Sequence, residues 1–161
     1  MMLVILKVVL LLCLFIIAFQ DFKERNVYLW LLLIAIGLTG FLYFQQSIPQ
    51  LYLIHILFNF AIIAFIIGVL YLYARFKLQL PLQKTFGFGD VLFFLVLAVG
   101  FPTISFIVLF SFSLLFSLLI FVILKKNLKH KTVPLAGFQA LFLSLIFLTN
   151  WIFNFVNLYH Y

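Results

Sequence analysis

Three acidic side chains occur in the 161-residue chain, and two of them, Asp21 and Asp90, sit where a short polar stretch meets a long apolar one. Asp90 closes the run Phe86-Gly87-Phe88-Gly89-Asp90. A carboxylate beside hydrocarbon is costly, so an ionisable residue at a transmembrane boundary is by default a functional candidate. Two carboxyls suit acid/base chemistry. One takes a proton from water while its protonated partner polarises a scissile carbonyl, and two close carboxyls come to share one proton. The chain neither brings the two together nor forbids it, and any titration would belong to the pair.

The glycines have a separate rationale. Without a Cβ, Gly87 and Gly89 can take unusual φ values and let an extended substrate strand lie close to the backbone. An unwound stretch before the helix carrying Asp90 would serve a protease, provided protein or water satisfies its polar groups. Each aspartate also has a plainer reading. Asp21 could be a loop carboxylate paired with Lys23 or Arg25, an arrangement contributing only about 0 to 1 kcal/mol when exposed. Asp90 could be a helix cap with Lys84 nearby. Their joint occurrence favours catalysis over two separate structural roles.

The elements that must position these residues are transmembrane helices. Apolar residues make up 68% of the chain and charged residues 8%, with 24 Phe, which excludes a soluble fold. Segments near the ~20 residues needed to cross a bilayer fall at 1–20, 27–44, 51–73, 90–101, 103–124 and 133–157. Residues 90–124 could instead be one helix kinked near Gly100 and Pro102. Lys23 and Arg25 follow the first span, Arg75, Lys77 and Lys84 the third, and Lys125, Lys126, Lys129 and Lys131 the fifth. Basic residues in alternate loops predict six spans with both termini outside and the loops holding Asp21 and Asp90 on the cytoplasmic face. Lys7 is the exception, near enough to the N-terminal end to snorkel.

The expected architecture is therefore an all-α, polytopic membrane protein of six transmembrane helices, a single domain over 1–161. The +7 net charge lies in short clusters between apolar runs, with no continuous basic face to track a phosphate backbone, so nucleic acid is not an expected partner. Cys13 is the one cysteine, which excludes an intrachain disulfide or Cys-x-x-Cys zinc site. No Ala-x-Ala follows the first apolar run, so it reads as a retained helix instead of a cleaved signal.

Gly87-Phe88-Gly89-Asp90-Val91 resembles the Gly-x-Gly-Asp signature of the type IV prepilin peptidases, polytopic aspartic proteases. Asp21-Phe22-Lys23-Glu24-Arg25-Asn26-Val27 resembles the family's first-aspartate segment: an Asp at a helix end, basic residues, then an Ile-Pro-Asn-like start to the next helix. Val133-Pro134-Leu135-Ala136-Gly137-Phe138 is similar to its late Ile-Pro-Phe-Gly-Pro-like stretch. The resemblance implies an aspartic endopeptidase of the cytoplasmic membrane. It would remove the leader from type IV prepilin-like or pseudopilin precursors, with Asp21 and Asp90 as the dyad, Gly87 and Gly89 shaping the substrate cleft, and no cofactor. Tyr28 stands where the family has proline, and Ala136 and Phe138 interrupt the Phe-Gly-Pro pattern, departures that bear on substrate positioning more than on the dyad. Larger members add an N-terminal methyltransferase region with paired cysteines. This chain opens at the first catalytic-domain helix, so neither N-methylation nor zinc is implied.

Other polar residues have simpler expectations. Glu24 reads as a solvated loop residue, and His55 and Asn59, one turn apart, as interhelical hydrogen-bonding groups on the outer side. Ser105, Ser111, Ser113 and Ser117 suit close helix packing, without the Gly-x-Ser-x-Gly elbow of a serine nucleophile. Two rival functions remain open at this stage, a proton- or cation-coupled carrier using the membrane-edge aspartates and a catalytically silent membrane scaffold. The precursor's identity, a pilus, secretion or competence role, and the oligomeric state are not specified by the sequence.

Overall fold

Long runs of Leu, Ile, Phe and Val become helices in an apolar medium because a helix satisfies its backbone polar groups internally. The computed structural model describes residues 1–79, 87–124, 133–153 and 157–159, and is all-α among them. Its helices are α1 (Met2–Glu24), α2 (Leu29–Phe44), α3 (Pro49–Tyr73), α4 (Phe88–Gly100), α5 (Thr103–Leu124) and α6 (Leu135–Phe153). α3 continues into a π-helical stretch, Ala74–Leu78, which ends at Gln79 in the left-handed region.

Four of these are long and apolar enough to cross a membrane: Met2–Glu24, Pro49–Lys77, Thr103–Leu124 and Leu135–Phe153. The expected six spans thus appear as four long apolar helices and two shorter ones, Leu29–Phe44 and Phe88–Gly100. The 13 residues of α4 rise about 20 Å, well short of a hydrocarbon core about 30 Å thick. Packing accounts for this. α4 contacts α2, α3, α5 and α6, and Phe93, Phe94, Val96, Leu97 and Ala98 are buried, so protein and not lipid surrounds most of it.

Residues 90–124 form two helices, not one kinked helix. Phe101 is extended at φ −145°, ψ 151°, and Pro102 follows without an N–H to continue the ladder. A break of this kind leaves the last carbonyls of α4 without intrahelical donors. Asn59 of α3 meets that need: its Nδ2 donates to the Ala98 carbonyl at 2.8 Å and to the Phe101 carbonyl at 2.9 Å. The interhelical role expected of Asn59 is therefore seen, and His55 likewise shares a hydrogen bond with the Tyr43 hydroxyl at the far end of α2.

Apolar side chains cover the outer surface. Leu115, Leu118, Leu119 and Val122 of α5 are each more than half exposed, a surface suited to hydrocarbon and not to water. The chain is accordingly a multi-pass membrane protein. Inside, Ser113 and Ser117 are buried, and the Gln139 side chain of α6 donates to Ser113 Oγ at 3.1 Å, tying α5 to α6. Ser111, by contrast, faces outward. Lys84 and the cluster from Lys125 to Lys131, on which much of the predicted orientation rests, lie outside the described residues.

Candidate active site

Asp21 is carried by the last turn of α1, not by the loop after it, because the helix runs on to Glu24 before ending. Its side chain is 7% exposed, whereas Glu24, the last residue of the same helix, points outward. α1 stops at Arg25, which takes the left-handed conformation (φ 54°, ψ 22°). This is the usual geometry of a helix C-cap, though glycine or asparagine adopts it more easily. The chain then turns back, and the Tyr28 amide donates to Gln20 Oε1 at 3.2 Å before α2 begins.

Asp90 lies in the first turn of α4 and is partly exposed. The helix starts at Phe88, so Gly89 is helical and Gly87 is the extended residue that precedes it (φ −72°, ψ 140°). Neither glycine has a positive φ, and the expected unusual backbone is not found at either position. Their value is spatial instead. A Cβ on Gly87 would stand 3.0 Å from Asp90 Oδ2, so the absence of a side chain makes room for the carboxylate. A Cβ on Gly89 would meet nothing within 4 Å, which leaves open space beside Asp90. Phe86 and the residues before it, where an unwound stretch was expected, lie outside the described residues.

The two aspartates meet at a third element. The first turn of a helix has amides with no partner inside the helix, and in α6 those of Leu135, Ala136 and Gly137 each find an acceptor. The Leu135 amide donates to the Val133 carbonyl and the Phe138 amide to the Pro134 carbonyl, each at 3.0 Å. Between them, the Ala136 amide donates to Asp90 Oδ1 at 2.8 Å and the Gly137 amide to Asp21 Oδ2 at 2.6 Å. Residues 116 and 46 positions away in sequence are thus held by consecutive amides. The positive end of the α6 dipole faces both carboxylates.

This placement offsets a local disadvantage for Asp21. It sits at the negative C-terminal end of α1, where an anion is disfavoured, and the Gly137 amide supplies the compensating donor. The absence of a side chain at Gly137 suits this close approach. A Cβ there would lie 3.0 Å from both Cβ and Oδ2 of Asp21 and 3.3 Å from the Ala18 carbonyl of α1. The lack of a side chain lets α6 approach α1 closely enough for the bond to form. Phe22 and Phe138 pack edge to face beside it, with ring centroids 5.0 Å apart.

Arg25 adds a cation to the site. Partial burial pulls its guanidinium below the ordinary arginine range, while the charges of Asp21 and Asp90 act in the opposite sense. Arginine stays protonated throughout the physiological range, so one fixed positive charge acts on both carboxylates. Lys23 is placed differently, over the Phe19 ring at 5.7 Å. Asp90 does not use its carboxylate only to cap its own helix, since Oδ1 reaches across to α6.

The donors in α6 were not singled out as such in the sequence. The stretch from Val133 to Phe138 was noted for its likeness to a family segment, but backbone amides leave no residue-type signature. The available hint was a proline followed by small residues at the head of an apolar run, a pattern that starts helices.

Residues 8–124 of the chain match the sequence model of the type IV leader peptidase family. The match includes Asp21, Gly87, Gly89 and Asp90 and ends before α6. No curated protein and no solved structure matches the chain.

Proposed function

The chain belongs to the type IV leader peptidase family, and from that membership we propose that it is a membrane aspartic endopeptidase using Asp21 and Asp90 as its catalytic dyad. Its substrates are type IV prepilin-like or pseudopilin precursors, and the leader is cut at the cytoplasmic membrane face. Six transmembrane passes, with both termini outside, give that orientation. The observation that carries the proposal is the convergence of Asp21 and Asp90 on the consecutive Gly137 and Ala136 amides.

The chemistry follows from what each oxygen is doing. Oδ2 of Asp21 and Oδ1 of Asp90 are held by α6, and the Gly87 backbone also hydrogen-bonds the Asp90 carboxyl, so both carboxyls are fixed in place for reaction. One carboxylate removes a proton from water as the water attacks the scissile carbonyl carbon. The other, protonated, donates to the carbonyl oxygen as the tetrahedral intermediate forms, and the proton held by the base then passes to the leaving amine. Water is the nucleophile and no cofactor takes part. Arg25 limits the repulsion between the carboxyls in the doubly ionised state. The space beside Gly89 admits an extended substrate strand next to Asp90.

The test is co-expression with a pilin-like precursor, reading the precursor's N-terminus by mass spectrometry for wild type, Asp21→Ala and Asp90→Ala. Leader loss with wild type alone is the expected result. Cleavage by either variant overturns the dyad, and an intact leader in all three, with the protein present in the membrane, overturns the choice of substrate.

A further inference from the structure

At the end of the molecule opposite the aspartates, α1 and the C-terminal end of α6 enclose a cavity of about 90 Å³. Its lining includes Lys7 and Leu10 of α1, Asn150 and Trp151 of α6, and Leu158 and Tyr159 beyond it. One wall is rigid. The Tyr159 ring is stacked between Tyr43 at 5.9 Å and Phe101 at 5.8 Å, and its amide donates to Asn157 Oδ1 at 3.2 Å.

Lys7 is the unusual member. A lysine within a membrane helix needs an anionic or polar neighbour. The chain has three acidic side chains, and all belong to the other end. Asp21 lies 14 positions along the same helix, about 21 Å away at 1.5 Å per residue, and Glu24 is farther. Asp90 joins Asp21 at α6. No acidic side chain of the chain therefore reaches Lys7, although a cavity opens in front of it.

We propose that this cavity is an anion site that binds a phosphate group, with Lys7 as its charged ligand and Asn150 and Tyr159 as polar walls. About 90 Å³ corresponds to roughly three waters by liquid volume, room for one tetrahedral phosphate group. The lining combines a cation and an amide, Lys7 and Asn150, with the apolar side chains of Leu10 and Leu158 and the indole of Trp151. A lipid phosphate whose glycerol and acyl chains run along the apolar side chains matches both, and tryptophan commonly marks the depth of lipid headgroups. An anionic phospholipid such as phosphatidylglycerol is the occupant this lining suits, with free phosphate as the other source of the same group. Bound there, it bridges the two helices that carry Asp21 and Gly137.

The chain has two tryptophans, so Trp30→Phe leaves Trp151, in the cavity wall, as the sole reporter. This protein is placed in phosphatidylcholine vesicles containing increasing fractions of acyl-brominated phosphatidylglycerol or acyl-brominated phosphatidylcholine, and quenching of Trp151 is measured. Saturable quenching with a preference of about fivefold for phosphatidylglycerol is expected, the size of effect one basic residue has near an anionic headgroup. Lys7→Met in the same background abolishes the preference and Lys7→Arg retains it. Inorganic phosphate is titrated into pure phosphatidylcholine vesicles as a separate arm. A saturable change in Trp151 emission there, with equal quenching by the two lipids, keeps the site and makes free phosphate its ligand. Equal quenching without a phosphate response overturns the proposal, as does a preference that survives Lys7→Met. The lipid comparison in the Trp30→Phe protein decides the matter even if Lys7→Met does not fold.

Discussion

Replacing Gly137 by alanine should separate catalysis from folding. The added Cβ would lie 3.0 Å from Asp21 Cβ and Oδ2, tighter than ordinary van der Waals contact, so Asp21 must give by a few tenths of an ångström. The Ala18 carbonyl of α1, 3.3 Å from the same Cβ, adds a second tight contact that pushes α6 away from α1. A bond now 2.6 Å long would lengthen to about 2.9–3.0 Å, still a hydrogen bond but with the carboxylate displaced. Displacement of a reacting group by about 1 Å can reduce a rate on the order of 100-fold, so a shift of about 0.3 Å should reduce it about fourfold.

Stability should change far less. Overpacking costs about 1–3 kcal/mol, and alanine in place of a helical glycine returns up to about 1 kcal/mol, leaving a net loss of about 0–2 kcal/mol. The assay is leader cleavage under single-turnover conditions, alongside thermal unfolding of both proteins in the same detergent. Cleavage at roughly a quarter of the wild-type rate with only a small fall in Tm is the expected pair of results. Wild-type cleavage by Gly137→Ala would show that the Gly137–Asp21 contact is not what positions the carboxylate, and the mechanism built on α6 would fail with it.

Gly89→Ala is the complementary test: nothing lies within 4 Å of its Cβ, so Tm should hold or rise while KM for the precursor increases if that space admits substrate, and an unchanged KM removes Gly89 from the cleft. Asp21→Asn and Asp90→Asn keep the side-chain size and should each abolish cleavage while membrane accumulation, read by immunoblot, stays near wild type. Asn59→Ala deletes both hydrogen bonds to the end of α4 and should cost about 1–3 kcal/mol in unfolding free energy with no specific effect on KM. Gly40→Val should destabilise the contact between α2 and α4, since even a Cβ there would come within 2.6 Å of Val99 Cγ1 and 3.1 Å of the Tyr52 hydroxyl, an overpacking cost of about 1–3 kcal/mol measurable as lowered Tm.

The features legible in the sequence were those written in residue type. Hydrophobic run length marked the six helices, and Pro102 with its neighbours marked a break or a kink between α4 and α5, which the structure resolves as a break because proline lacks the donor a continuous helix needs. Asn59 and Ser113 stood out as polar residues in apolar runs, which in a membrane must find partners in neighbouring helices. Boundaries were less legible. The first span was expected to close at residue 20, but the helix continues through Asp21 to Glu24, since charged residues at a membrane edge do not stop a helix and Arg25 in the left-handed region does.

The site itself divides along the same line. Asp21 and Asp90 declared themselves as carboxyls at apolar boundaries, and Gly87 and Gly89 as a motif, yet the reason first given for the glycines was conformational and the structure makes it spatial. What joins the carboxyls is two backbone amides, and every residue except proline has one, so no pattern of side chains could mark Ala136 and Gly137 as donors. Only the packing of α6 against α1 selects them. That packing depends on a side chain that is missing at Gly137, which explains why a departure from the expected proline-rich segment at Ala136 and Phe138 is compatible with an assembled site: the amide at 136 serves Asp90 whatever small side chain it carries, whereas position 137 admits no Cβ without moving Asp21.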